Sequence, residues 1–130
     1  MIIWIAIAAG GAAGAMSRYA TTLIVAAAMG PGWQPLATLA VNIAGSALMG
    51  LIYGGISTGA LSLSEPARLL VQVGFLGAVT TFSSFALDAV GLLEKGQAGL
   101  AVGYVLTSVL LSLAAFVLML WLMRILAGGA

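Results

Sequence analysis

The polar side chains that could do chemistry in this sequence lie inside long apolar segments and recur at helical spacing. Two sets are each spaced at intervals of four residues: Thr38, Asn42 and Ser46, and Tyr104, Ser108 and Ser112. Residues four apart share one face of a helix, so each set forms a polar stripe. Because polar groups in hydrocarbon need partners, the two stripes indicate a pathway lined by protein or water rather than a surface facing lipid.

A third polar set interrupts the apolar segment at residues 74–85, which reads GFLGAVTTFSSF. Two glycines three residues apart, the adjacent Thr80 and Thr81, and two serines replace the leucines of an ordinary membrane helix and weaken it. We therefore expect a helix that is broken in mid-span. Such a break exposes backbone carbonyl groups, which must be satisfied by neighbouring groups, water or a bound cation.

The donor groups of these three sets fit a small anion. They are hydroxyl hydrogens, the amide NH2 of Asn42 and the partly positive ring edges of Phe82 and Phe85. A cation pathway would display carboxylates within the membrane, and only Asp88 qualifies. An enzyme is not expected, because the sequence has three carboxylates, no histidine, no cysteine and no serine beside a plausible base.

Four apolar spans must position these residues. The sequence is 63% hydrophobic and 5% charged, a composition that indicates an integral membrane protein. We predict spans at about residues 2–28, 36–56, 66–93 and 98–126, each long enough to cross about 30 Å of hydrocarbon. The predicted fold is all-α, with a single four-helix transmembrane domain over residues 1–130 and no cleaved signal peptide.

The basic residues give almost no signal for one orientation in the membrane. Arg68 and Arg124 lie on the side of the predicted bundle that holds the termini, and Arg18 and Lys95 lie on the other side. A membrane protein with one orientation concentrates lysine and arginine on its cytoplasmic side. Two against two predicts insertion in both orientations and pairing as an antiparallel dimer, in which the two breaks could meet at the two-fold axis.

The segment at residues 74–85 closely resembles GFLGxxTTFSxF, the signature of the Fluc (CrcB) family of fluoride channels. The agreement extends to Gly10, Gly14 and Arg18 in the first span and to both polar stripes. The resemblance implies an antiparallel, dual-topology homodimer with two fluoride pores in a bacterial inner membrane. Such a channel would export fluoride passively and lower its cytoplasmic concentration. The implied partners are fluoride, membrane lipid and a second copy of the chain, with no nucleic acid.

The resemblance also implies roles for individual residues. The implied fluoride pathway comprises the pore phenylalanines Phe82 and Phe85, the amide of Asn42, the hydroxyl groups of Tyr104, Ser108 and Ser112, and, with second rank, Thr38 and Ser83. A structural Na+ at the dimer interface would be held by the backbone carbonyls of Gly77 and Thr80 from each subunit. Arg18 would lie near the aqueous vestibule and attract anions, or would act as an interfacial anchor.

One position departs from the family pattern. The family often has a glutamate a few residues after the second phenylalanine, where this chain has the shorter Asp88. We assign Asp88 no role in conduction.

Two other classes of protein fit the same size and span count. A small multidrug-type exporter, proton-coupled and of dual topology, needs a carboxylate within its first span, and the first span here contains only Arg18 as a charged residue. A scaffold protein without transport activity is disfavoured, because three polar sets in hydrocarbon are costly without a pathway.

Overall fold

The computed structural model describes residues 1–128, and the regular structure in that part of the chain is entirely helical. The helices are α1 (Ile2–Met29), α2 (Gln34–Ser57), α3 (Glu65–Leu69), α4 (Gly77–Val79), α5 (Phe82–Glu94) and α6 (Ala98–Leu126). A 3-10 turn at Pro31–Trp33 precedes α2, and a π-helical segment at Leu70–Leu76 joins α3 to α4. The predicted domain also includes Gly129 and Ala130, which lie outside the described residues.

Four stretches of this structure are long and apolar enough to cross a membrane. They are Ile2–Met29, Pro31–Ser57, Glu65–Glu94 and Ala98–Leu126, and we call them the first to fourth spans. The third span comprises α3, the π-helical segment, α4 and α5. Turns that end the first and third spans place Gly30 at a φ of 97° and Gly96 at a φ of 72°, in a conformation that residues with a Cβ rarely adopt. The prediction of an all-helical protein with four long apolar helices is confirmed.

Glycines allow the spans to approach closely. A Cβ on Gly10 would collide with the backbone carbonyl of Leu70, and a Cβ on Gly14 would collide with that of Phe75, so α1 lies directly against the third span. In the same way, a Cβ on Gly50 would collide with the Phe116 carbonyl where α2 packs along α6. Small residues at these crossings bring the helix backbones together, which is how helices associate in lipid.

Leu76 lies at the centre of a small interior cluster with Val41 and Val79. Large apolar side chains are exposed on all four spans, for example Trp4 on α1 and Trp121 on α6. Exposed apolar surface of this extent is compatible with hydrocarbon around the protein rather than water.

The third span contains two residues with extended backbone. Helical geometry ends at Val79 and begins again at Phe82, with Thr80 at a ψ of 152° and Thr81 at a φ of −155° and a ψ of 120°. We call Thr80 and Thr81 the extended pair. The hydroxyl oxygen of Thr81 accepts a hydrogen bond from the Ser84 backbone N–H at 3.1 Å, and so caps the start of α5. β-branched residues with a capping hydroxyl favour such a conformation over a continuous helix.

Candidate functional site

An open cleft of about 530 Å³ lies beside the extended pair, between α2, the third span and α6. Its lining residues are Asn42, Gly45, Ser46, Met49, Leu76, Gly77, Thr80, Thr81, Phe82, Phe85, Ser108, Val109, Ser112, Leu113 and Phe116. Seven predicted site residues are among them: Asn42, Gly77, Thr80, Phe82, Phe85, Ser108 and Ser112. The three polar sets of the sequence therefore face one space, while Thr38, Ser83, Tyr104 and Arg18 lie outside the lining.

Asn42 holds the backbone of the extended pair. Its Oδ1 accepts a hydrogen bond from the Thr81 backbone N–H at 2.8 Å, and its Nδ2 donates to the Thr81 carbonyl at 3.1 Å. The amide thus replaces the helical partner that the Thr81 N–H lacks. It also gives a second donor to the Thr81 carbonyl, which as the N-cap carbonyl accepts the first bond of α5. An asparagine NH2 group has two hydrogens, so the bond to Thr81 commits one of them and leaves the other for a ligand.

Two backbone carbonyls beside the cleft lose their α-helical partners at the extended pair. The Thr81 N–H, which would bond to the Gly77 carbonyl in a continuous helix, donates to Asn42 instead. The Ser84 N–H, which would bond to the Thr80 carbonyl, donates to the Thr81 hydroxyl. Gly77 and Thr80 are the residues that the family resemblance implies for a cation site, and neutral carbonyl oxygens are suitable ligands for a monovalent cation.

Three aromatic rings follow one another from the rim of the cleft. The ring centres of Phe82 and Phe85 are 5.4 Å apart, and those of Phe85 and Tyr104 are also 5.4 Å apart. Phe85 is only 9% exposed, whereas Phe82 is 80% exposed at the open side. The two phenylalanines are close neighbours, but of the two only Phe82 projects from the surface of the chain.

Two serine hydroxyl groups of α6 lie in the interior of the protein. Ser108 is 4% exposed. The Oγ of Ser112 is buried, and among the described residues it has no hydrogen-bond partner. A serine within a helix commonly bonds to the carbonyl four residues earlier. Ser112 lines the cleft and makes no such bond, so the hydrogen-bonding capacity of its hydroxyl is unused within the described residues.

Tyr104 instead pairs with Asp88, at a distance of 3.2 Å from the tyrosine hydroxyl to the carboxylate Oδ2. Sequence reasoning assigned no role to Asp88 and did not connect it with Tyr104. One signal was available, because a carboxylate within an apolar span requires a partner. The pair lies behind Phe85, whose ring contacts Tyr104.

The remaining predicted residues lie beside the cleft rather than in its lining. Thr38 is buried on α2. The Ser83 hydroxyl lies 3.1 Å from that of Thr81. Arg18 contacts the third span, where its Nε donates to the Ala78 carbonyl at 3.1 Å.

Residues 5–120 match the family model described as CrcB-like protein, Camphor Resistance (CrcB). A relative from Saccharophagus degradans is 40% identical over 123 residues, which cover 90% of this chain and 86% of the relative. Relatives from Agrobacterium fabrum (45% identical; 84% and 86% covered) and Pseudomonas putida (49% identical; 80% and 82% covered) are similar in extent. All three are named Fluoride-specific ion channel FluC. With its four apolar helices, this chain is a multi-pass membrane protein, and it belongs to the CrcB family.

Proposed function

We propose that this chain is a fluoride-selective, passive ion channel. The observation that carries the proposal is the chemistry of the cleft: its lining contains amide, hydroxyl and aromatic groups and, within the described residues, no charged side chain. Uncharged donors and ring edges can replace the water around a small anion without binding it too strongly to leave. The names of the relatives identify fluoride as the anion.

A passive channel is sufficient to lower cytoplasmic fluoride in a bacterium. Hydrogen fluoride is a weak acid that crosses membranes as a neutral molecule and dissociates inside the cell. An inside-negative potential then expels the anion with about 2.3 kcal/mol per 100 mV. Neither ATP nor proton coupling is needed, and the function suits the bacterial inner membrane.

The functional unit in this proposal is an antiparallel homodimer in which residues of both subunits line each of two pores. The cleft is open on one side, and Phe82 is exposed there. The even distribution of Arg18, Lys95, Arg68 and Arg124 supports insertion in both orientations. A second copy, inverted in the membrane, would cover the open side, and the extended pair would be the break of the third transmembrane helix at the interface.

A structural Na+ fits this arrangement. The carbonyl groups of Gly77 and Thr80 lack their α-helical donors and border the cleft. In the proposed dimer, four such carbonyls from two subunits would hold the ion. Its positive charge would offset the facing carbonyl dipoles and join the subunits, and the ion would not move with fluoride.

A fluoride-efflux assay tests the proposed function. Purified protein in liposomes should release fluoride, measured with a fluoride electrode, much faster than chloride. Phe82→Ile and Asn42→Asp should each reduce fluoride efflux severely, because they remove a ring edge or replace an amide donor with a carboxylate. Leu87→Ile, at an exposed position on the same helix as Phe82, is the matched control and should leave efflux unchanged.

Two results would overturn the proposal. Equal permeability to fluoride and chloride would remove the selectivity. Efflux that requires a proton gradient would favour the coupled exporter, although the first span offers no carboxylate for proton exchange.

A further inference from the structure

Arg18 bridges the two sides of the extended pair from α1. Its Nε donates to the carbonyl of Ala78 at 3.1 Å, and its Nη1 donates to the hydroxyl of Ser84 at 3.4 Å. Ala78 belongs to α4, before the extended pair, and Ser84 belongs to the first turn of α5, after it. One side chain from the first span therefore contacts both halves of the third span.

The contact to Ala78 supplies a donor that the helix does not. In a continuous helix the Ala78 carbonyl would accept a hydrogen bond from the Phe82 N–H, but α4 ends at Val79 and α5 begins at Phe82. Within an apolar span such a carbonyl needs another donor. A guanidinium group is suited to this position, because its five N–H groups are held in a planar fork and can serve two acceptors at once.

The contact to Ser84 continues into a hydrogen-bonded path that crosses the bundle. The hydroxyl of Thr81 donates to the Ser84 Oγ at 3.2 Å, and the Thr81 backbone is paired with the amide of Asn42. The path therefore runs from Arg18 on α1 through the extended pair to Asn42 on α2. It touches the third span at Ala78, Thr81 and Ser84.

We propose that Arg18 is a positioning residue that sets the angle between α4 and α5 and thereby places Phe82 and Phe85 at the cleft. Its effect comes from the shape of the guanidinium fork and not from its positive charge alone. The inference rests on the proposed function only where fluoride efflux is the readout. An anion-attracting role would depend instead on charge, which lysine retains.

Hydrogen exchange tests the positioning role without any transport. In Arg18→Lys and Arg18→Gln, the backbone amides at residues 81–85 should exchange at least about tenfold faster than in the unmodified protein, since neither side chain can reproduce both bonds of the guanidinium fork. Arg124→Gln, at an exposed arginine near the end of α6, is the control and should exchange as the unmodified protein does. Full protection in Arg18→Lys would overturn the proposal.

Efflux at two ionic strengths separates geometry from charge. At about 500 mM salt, long-range attraction between charges is screened over about 4 Å, whereas at about 20 mM it reaches much further. If Arg18 positions the third span, each of Arg18→Lys and Arg18→Gln should lower the maximal fluoride flux by a factor that is the same at both salt concentrations. Normal flux in Arg18→Lys, or a deficit in Arg18→Gln that disappears at high salt, would assign Arg18 to anion attraction. Absence of fluoride flux in the unmodified protein would defeat the proposed function, while hydrogen exchange would still decide the role of Arg18.

Ser84→Ala is a milder variant that removes one end of the bridge and leaves Arg18 in place. It removes the Nη1 partner but keeps the Ser84 backbone N–H that Thr81 caps. Its own effect on exchange at residues 81–85 should be smaller than that of Arg18→Gln. In the double variant Arg18→Gln with Ser84→Ala, the effects of the two substitutions on hydrogen exchange should be less than additive, because both substitutions break the one contact that Arg18 and Ser84 share. Additive effects would show that Arg18 and Ser84 act separately and would overturn the bridge.

Discussion

The pairing of Asn42 with Thr81 makes a sharp prediction about stability. Asn42→Leu keeps a side chain of similar size and removes the amide, so the hydrogen bonds of 2.8 and 3.1 Å to the Thr81 backbone are both lost. Thr81 is extended, so its N–H has no helical partner to return to, whereas its carbonyl, at the N-cap of α5, keeps the first helical bond. The substitution therefore removes one partner from each of two backbone groups and leaves the N–H unpaired within an apolar span.

The magnitude follows from those two groups. Hydrogen bonds between membrane helices contribute about 0.6 to 2 kcal/mol each, and a buried backbone group without a partner costs about 1 to 3 kcal/mol. The cleft is open on one side, so water can partly replace the amide. We therefore expect Asn42→Leu to lower the free energy of unfolding by about 2 to 4 kcal/mol.

Reversible unfolding in mixed micelles, followed by circular dichroism, measures this difference. Ser46→Ala is the matched control, because Ser46 lies one turn further along α2 and lines the same cleft. Its substitution should change the free energy of unfolding by less than about 0.5 kcal/mol. If Asn42→Leu is as stable as Ser46→Ala, the amide does not hold the extended pair, and its contribution would be confined to the ion path.

Two further predictions concern neighbours of the extended pair. Gly45→Ala should destabilise the protein by about 1 to 3 kcal/mol in the same assay, because its Cβ would collide with the Thr80 Cγ2. The bond from the Thr80 hydroxyl to the Leu76 carbonyl at 2.8 Å opposes rotation of that side chain away from the collision. Gly11→Ala, whose Cβ would meet no neighbouring atom within 4 Å, is the control and should be neutral or slightly stabilising, so equal effects of the two substitutions would contradict the collision. Ser112→Ala should change the free energy of unfolding by less than about 0.5 kcal/mol, because the buried Oγ has no partner to lose within the described residues. The same substitution should lower fluoride efflux several-fold. Unchanged efflux would remove Ser112 from the fluoride pathway.

The spacing of polar residues was informative because a helix face is a local property. Side chains at intervals of four point the same way whatever the helix packs against, so Asn42 and Ser46 on α2, and Ser108 and Ser112 on α6, line the cleft. Tyr104 belongs to the same α6 series but lies outside the lining. Its hydroxyl bonds to Asp88 on α5, a contact that the rotation of two helices determines.

The composition of this sequence determines its class without reference to any contact. In hydrocarbon every backbone polar group must be paired within the protein, so four apolar segments of this length can only be helices or a closed barrel, and their length selects helices. The sequence also determines which donor groups are available, and from these we predicted a small anion rather than a cation.

The tertiary structure alone decides which polar groups meet. Asn42 and Thr81 are 39 residues apart along the chain, and Arg18 and Ala78 are 60 apart. Hydrocarbon around the protein requires that each of these groups find a partner but does not specify which one. The partner depends on how the spans lie against each other, which is set by close packing at glycines such as Gly10 and Gly50. That packing lets Arg18 contact Ala78 and Ser84 while Asn42 contacts Thr81, where the sequence had predicted a vestibule charge or interfacial anchor and a pathway amide.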